Sequence, residues 1–202
     1  MQSMGRWGAD FDPDRLAELE TGMWKAYYRR RPVRLFRLLI TALREQACVS
    51  WPRTIAASVL LTKAAVGFAR TSGNYERFAP TIGRAYRLLN LPAHVDAEAV
   101  ARHELRWWVV RREIGVAAGL EAGESIGAMY AALYRVPTAA VAEAGRLRGL
   151  AAEVRDRGAA GDPEGPAGPG HAYWREVDRL LHASYRSLRV ALEAPAPAED
   201  VA

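Results

Sequence analysis

Three carboxylates in this chain stand one helical turn from a tryptophan: Glu20 before Trp24, Glu104 before Trp108, and Asp178 after Trp174. A spacing of four puts both members of each pair on one side of a helix. The same rule places Leu16, Met23 and Tyr27 with Glu20, and Val100, Trp107 and Arg111 with Glu104. It also places Leu181, His182 and Tyr185 with Asp178. Faces this rich in apolar and aromatic side chains turn inward, and a carboxylate buried without a partner is strongly destabilising. Each acid therefore needs an arginine, a metal, a shared proton or a ligand. The indole N–H one turn away is one donor, and a buried arginine such as Arg111 is another. The candidate polar pocket drawn from these faces comprises Glu20, Trp24, Tyr27, Glu104, Trp108, Arg111, Trp174, Asp178, His182 and Tyr185.

Two chemistries follow from such a set. Carboxylates and histidines from several helices can converge on a metal pair, as in ferritin-like proteins, and Glu20, Glu104, Asp178 and His182 would then be ligands to iron or manganese in an oxidoreductase. Those sites use a Glu-x-x-His pair on each of two helices. This chain has no Glu-x-x-His; its nearest equivalent, Asp178 and His182, is four residues apart. A serine–histidine–aspartate triad has no nucleophile-elbow context here, and no glycine-rich loop follows a strand to cradle phosphate. No catalytic residue and no cofactor is assigned on this basis. The leading expectation is a non-enzymatic binding or interaction module with a polar-aromatic core pocket for a small-molecule ligand, able to form a homo-oligomer. The ferritin-like metal–carboxylate enzyme is the alternative.

A second constellation is the arginine run around residues 29–44. Arg30, Arg34, Arg37 and Arg44 oppose Leu35, Phe36, Leu39 and Leu43 at helical spacing. A basic amphipathic helix of this kind can meet an anionic membrane surface or phosphate groups. The plainer reading is a solvated face whose arginines pair with acids such as Glu45 or Glu76. Across the chain 28 basic residues stand against 23 acidic ones, a net charge of +5, with Lys25 and Lys63 the only lysines. That excess is small and dispersed, so nucleic acid is not an expected partner.

The elements that must position these residues are all helical. With 202 residues, 50% of them hydrophobic, the chain suffices for one core, and no segment alternates like a strand. The expected fold is an all-α single-domain bundle of seven or eight helices, without a β-sheet, spanning residues 11–193. Asp12-Pro13 starts the first helix, which should run to about Arg31 before Pro32 breaks or kinks it. Further helices are expected from Ser50-Trp51-Pro52, from Asn74 with a kink at Pro80, and from Asp96 to Gly115. Others should cover 124–136, 138–157 and 172–193. The helices at 13–31, 52–71, 97–113 and 172–193 are expected to form a central layer, with the apolar run 54–69 buried. The Gly/Pro-rich stretch 158–170 reads as a flexible connection, and residues 1–10 and 194–202 as disordered tails. The first residues lack a signal-peptide pattern, and the lone Cys48 fits a reducing cytoplasm as a small buried thiol.

Overall fold

Asp12 opens the first helix as the sequence requires: its carboxylate accepts from the backbone N–H groups of Asp14 (2.9 Å) and Arg15 (3.1 Å), and Pro13 occupies the first turn. The computed structural model describes residues 7–47, 49–160 and 172–194. Within them the chain forms α1 (Pro13–Tyr28), α2 (Pro32–Ala47), α3 (Trp51–Ala69), a short 3-10 turn (Tyr75–Phe78), α4 (Ala79–Leu88), α5 (Ala97–Ile114), α6 (Gly119–Tyr134), α7 (Thr138–Ala160) and α8 (Tyr173–Glu193). No strand occurs among the described residues, so the fold is an all-α bundle. The expected connection at 161–170, Cys48 and the tail residues 1–6 and 195–202 lie outside the described residues.

Local chemistry explains the breaks. Arg30 adopts a left-handed conformation (φ 52°), and Arg31 N–H reaches back to the Ala26 carbonyl at 2.9 Å, closing α1 in the manner of a Schellman turn. Of the break or kink expected at Pro32 the chain makes a full break, and α1 ends at Tyr28 rather than Arg31. Asp96 caps α5 through the Glu98 N–H. α7 continues through Gly158 to Ala160, where sequence composition suggested a loop. Trp7, read from sequence as part of a tail, instead belongs to the packed body: its indole N–H donates to the Leu89 carbonyl at 3.1 Å.

The helices do not arrange themselves as a central layer with a periphery. Each packs on the next in chain order, and α8 returns to pack on α1, so that the principal contacts close a ring of eight helices. Short connections make consecutive helices neighbours, while ring closure depends on the α8–α1 contact. That contact is fixed at one end by Asp14 of α1, which binds Arg186 (2.8 Å) and His182 (2.9 Å) of α8. α3 is correspondingly not a buried helix. Thr54, Ala57, Ser58, Ala64 and Phe68 face in, while Trp51, Ile55 and Val59 are exposed.

The tightest seam is between α6 and α7. Gly119, Gly123 and Gly127 on α6 face Gly145 and Gly149 on α7, and a Cβ at Gly145 would fall 2.5 Å from the Gly123 carbonyl oxygen. Small residues at four-residue spacing let the two backbones touch. This close approach draws α7 into the wall, and with it the arginines that complete the interior.

Candidate functional site

The ring surrounds a partly open cavity of about 430 Å³ to which every helix contributes. Its two sides differ. α2 and α3 supply an aliphatic wall of Leu35, Leu39, Ala42, Leu43, Leu61 and Ala65. α1, α5, α7 and α8 supply a wall of aromatic and ionisable groups, including Glu20, Trp24, Glu104, Trp107, Arg111 and Arg148.

Glu20, 1% exposed, has three residues bonded to its carboxylate. It accepts from Trp24 Nε1 at 3.0 Å, from Arg148 Nε at 2.8 Å and from the Tyr185 hydroxyl at 2.6 Å. Arg148 Nη2 approaches the same carboxylate at 2.5 Å. The Arg148 guanidinium also lies 5.3 Å from the Trp107 ring centroid and 5.8 Å from that of Tyr130. Burial pushes the Tyr130 hydroxyl up to about 12, partly opposed by the neighbouring Arg148 charge. It drives the Tyr185 hydroxyl well above its ordinary range, with the Glu20 charge adding to the effect. Both phenols therefore stay protonated: Tyr185 donates to Glu20, and Tyr130 accepts from Arg148 Nη1 at 3.4 Å.

Among the described residues no arginine is bonded to Glu104. Trp108 Nε1 donates to it at 3.1 Å, and the Tyr86 hydroxyl at 3.4 Å. Burial raises its carboxyl above the usual carboxylate range, and the positive charge of Arg148 offsets only part of that. Trp107 Nε1 lies in the field of Glu104 but completes no hydrogen bond of normal geometry.

Further along the same wall, Arg111 meets Asp156 of α7 through Nε (3.0 Å) and Nη2 (2.8 Å), and donates to the Tyr28 hydroxyl at 2.6 Å. Arg155 donates to the same Asp156 at 2.6 Å and stacks on the Tyr28 ring, yet its buried Nε has no acceptor. Two guanidinium groups thus share one carboxylate. Trp24 and Trp107, stacked 6.4 Å apart, fill the space between these two polar clusters, with Arg111 over both rings.

Of the residues singled out from sequence, Glu20, Trp24, Tyr27, Glu104, Trp108, Arg111 and Tyr185 line this one cavity. Trp174, Asp178 and His182 do not. Trp174 is buried beneath Lys25, whose ammonium lies 5.4 Å from its ring centroid. The Asp178 side chain is 43% exposed; it accepts from Thr21 at 2.9 Å and lies 3.7 Å from His182. His182 turns to Asp14. Both sit at the edge of the α8 face whose centre is Val177, Leu181, Ser184 and Leu188, all fully buried. The expectation that Asp178 points inward is therefore corrected. So is the ligand set Glu20, Glu104, Asp178 and His182, because Asp178 and His182 lie off the cavity wall and Glu20 is held by Arg148. Among the described residues no group of three or more histidine, cysteine, aspartate or glutamate side chains is placed to hold a metal ion. Arg111, expected to neutralise one of the three acids, is taken by Asp156.

The basic run is corrected in part as well. The apolar face of α2 lines the cavity, so it is not free to lie in a membrane. Arg30, Arg34 and Arg37 are exposed, whereas Arg44 is half-buried, donating to the Val49 carbonyl at 2.6 Å and stacking over Trp51. No described helix is long and apolar enough to cross a membrane.

Sequence reasoning missed Arg148, Arg155, Asp156, Tyr86 and Tyr130. One signal was present: Arg148 and Arg155 are seven apart, hence on one face, in a helix otherwise dominated by alanine and glycine. No protein-family model, no curated protein and no solved structure matches the chain.

Proposed function

We propose that this protein binds a small amphipathic molecule in the partly open cavity lined by its eight helices, with the apolar body of the ligand against α2 and α3 and an acidic or acceptor-bearing head group toward α5 and α7. The polarised wall is the observation that carries this reading. At about 430 Å³ the cavity falls within the range of small-molecule sites, which are mostly apolar with a few convergent polar groups. Two features of the polar side favour an acceptor or anion. Arg111 and Arg155 share a single carboxylate, and Arg155 Nε is buried without an acceptor. A cationic head group is disfavoured because the aromatic faces that would receive it are already covered by Arg111, Arg148 and Arg155.

The test uses two fluorescent probes with the same aromatic body, anilinonaphthalene sulfonate and the uncharged phenylnaphthylamine. Both are expected to bind at one saturable site, the sulfonate more tightly. Ala65→Phe, which fills the aliphatic side, should abolish binding of both. Arg155→Met should remove the preference for the sulfonate. Absence of saturable binding, or binding indifferent to Ala65→Phe, overturns the reading.

A further inference from the structure

The outer surface of the ring carries a separate asymmetry. Residues 29–70, which form α2, α3 and their flanks, contain nine basic residues and a single acid, Glu45. The remaining 160 residues contain nineteen basic and twenty-two acidic ones. The net positive charge of the chain therefore resides in one helical hairpin, and the rest of the molecule is slightly acidic.

On the outside of that hairpin the structure exposes apolar side chains in a row. Trp51 (58% exposed), Ile55 (43%) and Val59 (50%) follow at four-residue steps along α3, and exposed Lys63 continues the same row. On α2, Arg34, Arg37 and Arg44 share the face opposite the cavity. The Arg44 guanidinium lies 4.7 Å from the Trp51 ring centroid and so joins the basic face of one helix to the apolar row of the other.

We infer that this face docks on an anionic lipid surface. In the bound state Trp51, Ile55 and Val59 enter the headgroup boundary, and Arg34, Arg37 and Lys63 lie against lipid phosphates. Tryptophan and long basic side chains suit that boundary, since each combines an apolar body with a polar end. The charge decides among occupants. A second copy meeting this face across a two-fold axis would set both basic faces against each other, which like charges oppose. Nucleic acid would engage the arginines but would leave the apolar row unused, because phosphate contacts dominate its binding. This inference rests on the outer surface alone and is independent of the cavity reading.

Co-sedimentation of the full chain with phosphatidylcholine vesicles, with and without phosphatidylglycerol, tests it at low and high salt. Binding is expected only to vesicles containing phosphatidylglycerol, weakening as salt rises. Arg34→Gln with Arg37→Gln should weaken partitioning about 30-fold, roughly fivefold for each charge removed. Ile55→Glu with Val59→Glu should abolish it. All four positions are solvent-facing, so unchanged circular dichroism melts are expected for both variants. Failure to bind phosphatidylglycerol vesicles at low salt overturns the inference, as does binding that survives Ile55→Glu with Val59→Glu. A solution dimer that this variant dissociates, without lipid binding by the parent, would make the face a self-interface and equally overturn it.

Discussion

Replacing Arg148 with methionine removes the countercharge of Glu20 while nearly preserving side-chain volume. Two charge-assisted hydrogen bonds disappear, from Nε and Nη2, and a carboxylate only 1% exposed keeps Trp24 Nε1 and the Tyr185 hydroxyl as its donors. Removing one partner of a buried pair costs about 3–5 kcal/mol, consistent with two charged hydrogen bonds at about 1.5–3 kcal/mol each. Against a total stability of about 5–15 kcal/mol the loss is severe but leaves a measurable folded state for most of that range. With a urea m-value of about 2–3 kcal/mol/M, the unfolding midpoint should fall by about 1–2 M. Glu20→Gln strands the arginine and should also destabilise. The double variant should lose less than the sum of the two, with a coupling of about 2 kcal/mol or more. A loss under about 1 kcal/mol for Arg148→Met, or additive behaviour of the pair, would mean that cavity water solvates these charges. The low-dielectric wall on which the site argument depends would then be refuted.

Three other outcomes follow from the same geometry. Because burial raises the folded-state pKa of Glu104, its contribution to stability is fully present below the ordinary carboxylate value of 4.5 and is lost as pH rises through the raised folded value; Glu104→Gln should flatten that part of a stability–pH profile measured by urea unfolding. Asp14 behaves in the opposite sense. Hydrogen bonds from Arg186 and His182 lower its pKa to about 2, so its contribution is present above the ordinary 3.8 and vanishes as pH falls through about 2, and Asp14→Asn should remove this acid-side dependence. At the α6–α7 seam, Gly149→Ala should lower stability by about 1–3 kcal/mol, since a Cβ there would lie 2.5 Å from the Gly123 backbone nitrogen. Gly127→Ala, whose Cβ meets its nearest neighbour only at 3.9 Å, should instead gain up to about 1 kcal/mol from helix propensity. Thermal or urea melts of the two variants moving the same way would contradict the assignment of that seam.

Local and periodic information was legible in the chain itself. Caps at Asp12 and Asp96, the break at Pro32, the helix start at Trp51-Pro52, and the all-helical class follow from short-range sterics and hydrogen bonding that act within a few residues. Periodicity likewise turned Glu20 and Glu104 toward the interior and gave each an indole donor one turn away, because a four-residue step is a fixed distance on any helix. It failed for Asp178, where two helical faces compete. Contacts of α8 with α7 and α1 set its inward direction through Val177, Leu181, Ser184 and Leu188, leaving Asp178 at the edge. Which arginine meets which acid was decided only by the tertiary structure. Arg148 lies 128 residues from Glu20, and the pairing depends on glycine faces drawing α7 against α6 and on α8 closing the ring. A cavity with one aliphatic and one polar wall is likewise a property of eight helices packed in a circle. Sequence determines which face of each helix turns inward, but the face it meets is set by packing among segments far apart in the chain.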